Sequence, residues 1–319
     1  MAPRFTNFSL TLSNFTPRLN NFTPIIIFFT LLLHRLLPYD TILVVGTNNR
    51  YHSAKGFYKM MDNLLQLRDK NIVVMGVAND RSIAWGIAKR LIDVGANVIF
   101  TYRQERSLKK LQKQLENYGQ QNALIVQCDV NSDESTKAAF DEIGEKVGVI
   151  HGIVHSVAFA NAVDLHNRFL ETTRDGYAFA QDTSAYSLIS TTKAAHPYMT
   201  EGGSIVTMSY LGAERVLEGY NVMGVAKAAL EASMRYLAAD IGKDNIRVNA
   251  ISAGAIRTLA AKGIPSFNTI LHKIEETAPL KRNVQQDEVA DMTLVMLSHL
   301  SRGVTGETIY IDAGYNIMG

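Results

Sequence analysis

Cysteine is nearly absent. Cys128 stands alone among 319 residues, so an intrachain disulfide is excluded, and a reducing compartment, the cytoplasm, fits best. The lone thiol reads as a small buried hydrophobe at a strand end. Charge of one sign is lacking too. The formal net charge is +2, from 32 basic and 30 acidic side chains. Six of the basic residues (Arg4, Arg18, Arg35, Arg50, Lys55, Lys59) and one acid, Asp40, lie in residues 1–60, so 26 basic and 29 acidic remain in 61–319, a net of −3. That mildly acidic body carries no nucleic-acid footprint. A long apolar run is missing as well. Ile25–Leu37 is broken by Thr30, His34 and Arg35 and falls short of the ~20 residues of a spanning helix, so no stable membrane insertion is expected. The eight histidines offer no metal site: His151 and His155 bracket a strand, and no third ligand accompanies them.

Residues 1–60 differ in design from the rest. They are rich in Asn, Thr, Phe and Pro, show no amphipathic period, and read as a poorly structured extension. A secretory signal is disfavoured by the long leading region and the lack of a small-residue cleavage site. The preferred expectation is a start assigned too far upstream. Lys55-Gly56 must be encoded by AAR-GGN, a purine-rich stretch placed like a ribosome-binding site before Met60 and Met61. An acid-poor targeting segment and a membrane-associated arm are the alternatives.

From Ile72 onward short apolar runs alternate with mixed-polarity segments. Seven strands are predicted: Ile72–Met75, Asn97–Tyr102, Ala123–Gln127, Gly152–His155, Ser204–Met208, Arg247–Ile251 and Thr308–Ile311. Helices are predicted over Ile83–Val94, Ser107–Tyr118 (Leu108, Leu111 and Leu115 on one face) and Ser132–Val147. Strands separated by helices of this length imply βαβ crossovers and a parallel sheet covered on both faces. No repeat or low-complexity linker follows residue 70. The fold expected is therefore α/β, a single doubly wound Rossmann-type domain with a seven-stranded parallel sheet, whose ligand crevice lies at the carboxyl ends of the strands.

The first strand–helix junction runs from Gly76 to Gly86 without the G-x-G-x-x-G fingerprint. Its chemistry still suits a dinucleotide. Gly76 permits a tight turn, Ser82 can cap the helix and bind an anion, Ile83 opens a helix whose free N–H groups attract pyrophosphate, and Gly86 would let that helix approach the sheet. An ordinary capped helix would look the same. Arg103 ends the second strand, with Ser107 nearby, where a basic residue accommodates the 2′-phosphate of NADPH and an acid would hold the free ribose hydroxyl of NADH. NADPH is expected ahead of NADH, although Glu105 could compete. Asp129-Val130 could flank the adenine, and Ser156-Val157 lies beside the nicotinamide half.

Tyr220 and Lys227 are seven positions apart, two helical turns, which would place both on one helix face. A lysine near a phenol stabilises negative charge on the oxygen and strengthens its hydrogen-bond donation. Tyr210 ends the fifth strand on the crevice side. A lone Tyr/Lys pair is usually packing with a solvated head; the context changes that. Gly76…Ser82-Ile83-Ala84, Tyr210-x9-Tyr220-x6-Lys227 and Arg247-Val248-Asn249-Ala250-Ile251-Ser252-Ala253-Gly254 occur in order with α/β spacing. The set resembles the bacterial FabI-type enoyl-acyl-carrier-protein reductases of the short-chain dehydrogenase superfamily, over about residues 64–319. The Gram-positive branch is similar also in His155–Ala160, Ala278–Arg282 and Gly303–Glu307. Ordinary short-chain dehydrogenases carry Tyr-x3-Lys, and that offset is occupied here by Gly224.

The resemblance implies reduction of a trans-2-enoyl thioester on acyl-carrier protein, with Tyr220 hydrogen-bonding the enolate oxygen, Lys227 holding the cofactor ribose and Tyr210 lining the acyl pocket. It implies Gln104 among the cofactor contacts, Ile256, Arg257, Thr258, Leu259 and Ala260 at the nicotinamide carboxamide and pyrophosphate, and a flap over Ala261–Leu271. Ala160, Met223 and Phe267 would meet the acyl chain, and a homotetramer would be the assembly. Ala255 departs from the family's usual proline and should loosen the entry to the flap. Two rival readings remain: a 3-ketoacyl (carbonyl) reductase on the same fold, and a non-catalytic dinucleotide-binding sensor.

Overall fold

The computed structural model describes residues 43–45, 51–53, 61–259, 261 and 267–318. The chain divides into two units, Met1–Met61 and Asp62–Gly319. In the first, Leu43–Val45 and Tyr51–Ser53 pair as an antiparallel ribbon; the apolar run Ile25–Leu37 lies outside the described residues.

In the second unit the seven strands are β1 (Asn71–Met75), β2 (Asn97–Tyr102), β3 (Ile125–Gln127), β4 (Gly152–His155), β5 (Gly203–Ser209), β6 (Ile246–Ala253) and β7 (Thr308–Ile311). Every pairing is parallel, and the order across the sheet is β3-β2-β1-β4-β5-β6-β7. The order reverses between β1 and β4, which makes their carboxyl ends the topological switch point where such sheets bind ligands. Central strands are apolar on both faces because helices cover both: Ile72, Val73, Val74 and Met75 are all buried.

The helices are α1 (Ile83–Asp93), α2 (Glu105–Asn117), α3 (Asp133–Val147), α4 (Ala162–His166), α5 (Arg174–Gln181), α6 (Ser187–Ala195), α7 (Asn221–Ile241), α8 (Phe267–Thr277) and α9 (Gln286–Leu297). On one face Val73, Met75, Ile99, Ile153, Ile205 and Val248 meet α3, α6 and α7 through Phe140, Ile143, Leu188, Leu230 and Met234. This is the period-two alternation expected of strands meeting helices. On α2, Leu111 and Leu115 are buried as predicted, while Leu108 is only partly covered. Ser132 caps α3 by accepting from Ser135 N–H at 3.1 Å.

The strand ends differ from the prediction where local hydrogen bonding intervenes. β3 begins two residues late because Ala123 N–H closes a turn onto Gln120 O at 3.0 Å and so is lost to the ladder. β6 runs longer than predicted because it is paired on both sides, Ser209↔Ser252 with β5 and Ala253↔Ile311 with β7.

Candidate active site

Gly76 leaves β1 at φ +92°, and a Cβ there would stand 2.0 Å from the Ser156 carbonyl oxygen at the end of β4. The two chain ends that frame the crevice approach too closely for any side chain. Beyond Gly76 the loop is held by Ser82, whose hydroxyl accepts from Ala78 N–H (3.0 Å) and Asn79 N–H (2.9 Å) and donates to Asn79 O (2.8 Å). The predicted capping role of Ser82 is therefore corrected: no side chain caps α1, and the hydroxyl shapes the loop in front of it. A second correction concerns Gly86. It faces α9 rather than the sheet, since a Cβ would lie 2.7 Å from Gln286 Cγ. The Gln286 amide then donates to Asp80 O (3.0 Å) and Ser82 O (2.6 Å), pinning the loop from behind.

Arg103 follows β2 and Asp129 follows β3, and the structure brings them together at 3.8 Å. Gln104 precedes α2 and Ser107 lies in its first turn. Val130 is buried, and Ser156 and Val157 are half-buried just beyond β4. After β6, Ile256 and Thr258 are half-buried, while Arg257 and Leu259 are exposed. Arg257 donates to Asn268 Oδ1 at 2.6 Å, tying this segment to α8. Ala260 lies outside the described residues, as do residues 262–266 of the predicted flap. Ala255 is buried and packs with Leu271, Ile274 and Ala278, with Phe267 and Tyr315 against the same cluster.

Tyr220 belongs to a different cluster, with Ala160, Ala180, Val222, Met223 and Ala226 and with Tyr210 against it. The structure thus joins Ala160, Met223, Tyr210 and Tyr220, and packs Phe267 elsewhere. The two phenol rings meet edge to face, centroids 4.9 Å apart and planes at 72°. Gly212 makes room for the Tyr220 ring, and Gly224 makes room for the Gly212 backbone. A Cβ on Gly212 would reach its Cδ1 at 2.3 Å, and one on Gly224 would reach Gly212 O at 2.8 Å. The Tyr-x3-Lys arrangement is therefore closed sterically: position 224 has no space for a side chain.

The geometry of the pair differs from a plain two-turn spacing. Tyr220 is the residue before α7, and Asn221 has φ +37°, which interrupts helical phase between Tyr220 and Lys227. That left-handed residue is held by its own amide, whose Nδ2 donates to Leu165 O (2.8 Å) and Asn167 O (2.8 Å) at the end of α4. Lys227, buried, donates from Nζ to Met208 O at 2.7 Å on β5. Burial draws the ammonium down to about 8, opposed by the nearby Glu231 carboxylate. Burial, with Tyr210 alongside, pushes Tyr220 well above the ordinary phenol, and burial raises Tyr210 to about 12. His155 falls to about 3 through burial and repulsion by Lys227. Its neutral ring lies between Thr207 Oγ1 (3.0 Å) and Ser187 Oγ (2.9 Å). Sequence reasoning missed Asn221, Gly212 and Glu231. Only Glu231, four residues beyond Lys227, carried a signal that helical spacing could have found.

A switch-point crevice, a glycine turn at its floor, and a tyrosine and lysine at the end of the fifth strand define a short-chain dehydrogenase/reductase. Residues 76–316 match the family model described as Enoyl-(Acyl carrier protein) reductase. The chain is 55% identical over 256 residues to the enoyl-acyl-carrier-protein reductase (NADH) FabI of Bacillus cereus, covering 79% of this chain and 99% of that protein. It is 56% identical over 253 residues to the enoyl-acyl-carrier-protein reductase (NADPH) FabI of Staphylococcus aureus, covering 79% and 99%. The crystal structure of the Bacillus cereus reductase with NADP+ and indole naphthyridinone superposes with a TM-score of 0.78 at 54% identity, over 79% of this chain and 98% of that one. The chain belongs to the FabI enoyl-acyl-carrier-protein reductase family, and its activity is that of an enoyl-acyl-carrier-protein reductase of fatty-acid biosynthesis.

Proposed function

We propose that Tyr220, Lys227 and Tyr210 are the reacting-site residues for reduction of a trans-2-enoyl thioester, and that the dinucleotide lies across the Gly76–Ser156 switch point. The observation that carries this reading is the convergence of Tyr220 and Lys227 on the end of β5, through Tyr210 and Met208. The residues present fit a dinucleotide. The gap at Gly76 that a Cβ would fill, the uncapped start of α1 and the buried ammonium of Lys227 suit a backbone-hugging, polyanionic ligand. When bound, a reduced nicotinamide supplies the hydride. Tyr220, kept protonated by its buried site, donates its hydroxyl proton in a hydrogen bond to the thioester oxygen as negative charge develops there. Lys227 brings its buried positive charge to the end of β5, where it would donate to a ribose hydroxyl. Tyr210 walls the acyl side against water. NAD(P)H oxidation with a crotonyl thioester, compared with an acetoacetyl thioester, tests the assignment; preference for the acetoacetyl substrate would overturn it.

NADPH is the preferred cofactor in this reading because Arg103 stands free at the end of β2 apart from its long contact to Asp129. Relatives named for NADH and for NADPH are equally similar, so the residue itself has to decide. Arg103→Asp is expected to turn preference toward NADH by repelling a 2′-phosphate and accepting from a 2′-hydroxyl. The check is the ratio of kcat/KM for the two cofactors, and an unchanged ratio would make Arg103 a surface residue.

We further infer a cytoplasmic homotetramer whose catalytic domain is residues 61–319. Support for assembly comes from an open, mostly apolar groove of about 700 Å³ lined by Ile189, Ala232, Tyr236 and Leu237 together with Asp240, a face of the kind oligomers cover. The 61–319 protein is expected to remain tetrameric by mass photometry and to retain full activity, since every motif lies within it. A monomer, or a large loss of rate, would sink the respective part of this reading.

A further inference from the structure

Lys227 and Glu231 stand one turn apart on the same face of α7, and both are buried, at 6% and 5% exposure. They hook two consecutive residues at the end of β5. Lys227 donates to Met208 O at 2.7 Å, and Ser209, itself buried, donates its hydroxyl proton to Glu231 Oε1. The next residue is Tyr210, whose ring backs Tyr220. A buried carboxylate is costly, and one held only for packing would be replaced without loss by an apolar side chain. This one instead lies where its charge falls on the ammonium of the proposed site.

We propose that Glu231 is a positioning residue for the reduction: its carboxylate is the counter-charge that keeps Lys227 an ammonium, and its acceptance from Ser209 fixes the end of β5 on which Tyr210 and Tyr220 pack. The inference rests on the reading of Tyr220 and Lys227 as the reacting pair. The groups that face Glu231 are consistent with it. From α7 come Lys227 and Arg235, both favouring its charged form; from the segment after β5 comes Glu214, opposing it. Burial is the largest influence and raises the carboxyl, while the Ser209 hydrogen bond draws it down. Tyr310 on β7 feels Glu231 as well, but its hydroxyl is given to Glu214, which leaves Glu231 to Ser209 and Lys227. His155, kept neutral by burial and by Lys227, adds no second positive charge beside the ammonium. Glu231 is the group that raises Lys227 against the pull of burial.

The sign of the effect follows. Removing the carboxylate charge lowers the proton affinity of Lys227, so the alkaline limb of cofactor binding moves to lower pH. On the acid side the wild-type carboxyl, already raised, itself becomes protonated, so wild type and variant converge as pH falls.

The test uses the full chain, the dinucleotide that wild type binds more tightly, fluorescence titration from pH 6 to 9.5, and kcat/KM over the same range. E231Q keeps the shape and the acceptor for Ser209 but removes the charge. It is expected to bind the dinucleotide about three- to tenfold more weakly near pH 8.5, with little loss near pH 6. E231M fills the same space without charge and is expected to shift the limb in the same direction, which keeps the test open should E231Q misfold. Ser209→Ala keeps both ionisable side chains and removes the hook, which lets the Glu231 carboxyl rise further; kcat should fall while the alkaline limb moves less than in E231Q. A limb unmoved in E231Q and E231M, or a loss uniform across pH, would overturn the proposal. So would a limb displaced as far by Ser209→Ala as by E231Q, since the cause would then be packing. Lys227→Ala in the same assays separates the two levels. If it binds and turns over like wild type, the reading of the pair fails; if it is impaired while the Glu231 variants show no shift, only the role of Glu231 fails.

Discussion

Tyr220→Phe is expected to lower kcat by about 10²–10³-fold while leaving dinucleotide affinity near that of wild type. The substitution keeps the ring in its slot against Tyr210 and Gly212 and deletes only the hydroxyl. Because burial holds that hydroxyl above the ordinary phenol range, it acts as a neutral donor whose worth appears when the thioester oxygen becomes negative, and loss of one such donor typically costs this much. Lys227→Ala should fail differently. It removes the buried charge at the end of β5, the donor proposed for the ribose, and the bond to Met208 O, so weaker dinucleotide binding should accompany the lost rate and some stability should go with it. Fluorescence titration paired with steady-state kinetics on a crotonyl thioester distinguishes the two patterns. Full activity in both variants would remove the pair from the mechanism. Equal dinucleotide affinity in wild type and Lys227→Ala would remove only the ribose contact.

Much of this architecture was legible because a parallel sheet buried on both faces writes itself as apolar runs. Ile72–Met75, Gly152–His155 and Thr308–Ile311 match the observed strands at their carboxyl ends, which are the ends that carry chemistry. Errors fell where a side chain or a turn competes for backbone groups, as at Ala123, whose N–H is used by Gln120. In the site, residue spacing brought Tyr210, Tyr220 and Lys227 into view, but spacing is blind to direction. Ser82 has the composition of a helix cap, yet its hydroxyl is captured by Ala78 and Asn79. Gly86 has the position of a sheet-facing glycine, yet α9 lies on that side through Gln286. The positive φ of Asn221 leaves no trace in a sequence, because it is imposed by two carbonyls of a segment over fifty residues away. Tertiary partners decided each of these.

Gly76→Ala should be among the most damaging single-atom additions to the chain, destabilising it by about 3 kcal/mol or more and abolishing dinucleotide binding in what remains folded. Two costs combine. The backbone at φ +92° disfavours any Cβ by about 1–2 kcal/mol. In addition the Cβ would lie 2.0 Å from Ser156 O and 2.7 Å from Ser156 C, and neither atom belongs to a flexible side chain that could turn away. Relief requires β1 and β4 to separate just past the Met75↔His155 pair, which opens the switch point itself. Gly119→Ala supplies the control. Gly119 lies just past α2 at φ +72°, with nothing within 4 Å of the added Cβ, so it isolates the conformational cost. Urea denaturation of the two variants should show Gly119→Ala close to wild type, within about 1–2 kcal/mol, and Gly76→Ala well beyond it. Equal losses would mean that the Ser156 carbonyl yields freely, and the rigid floor assigned to the crevice would have to be given up.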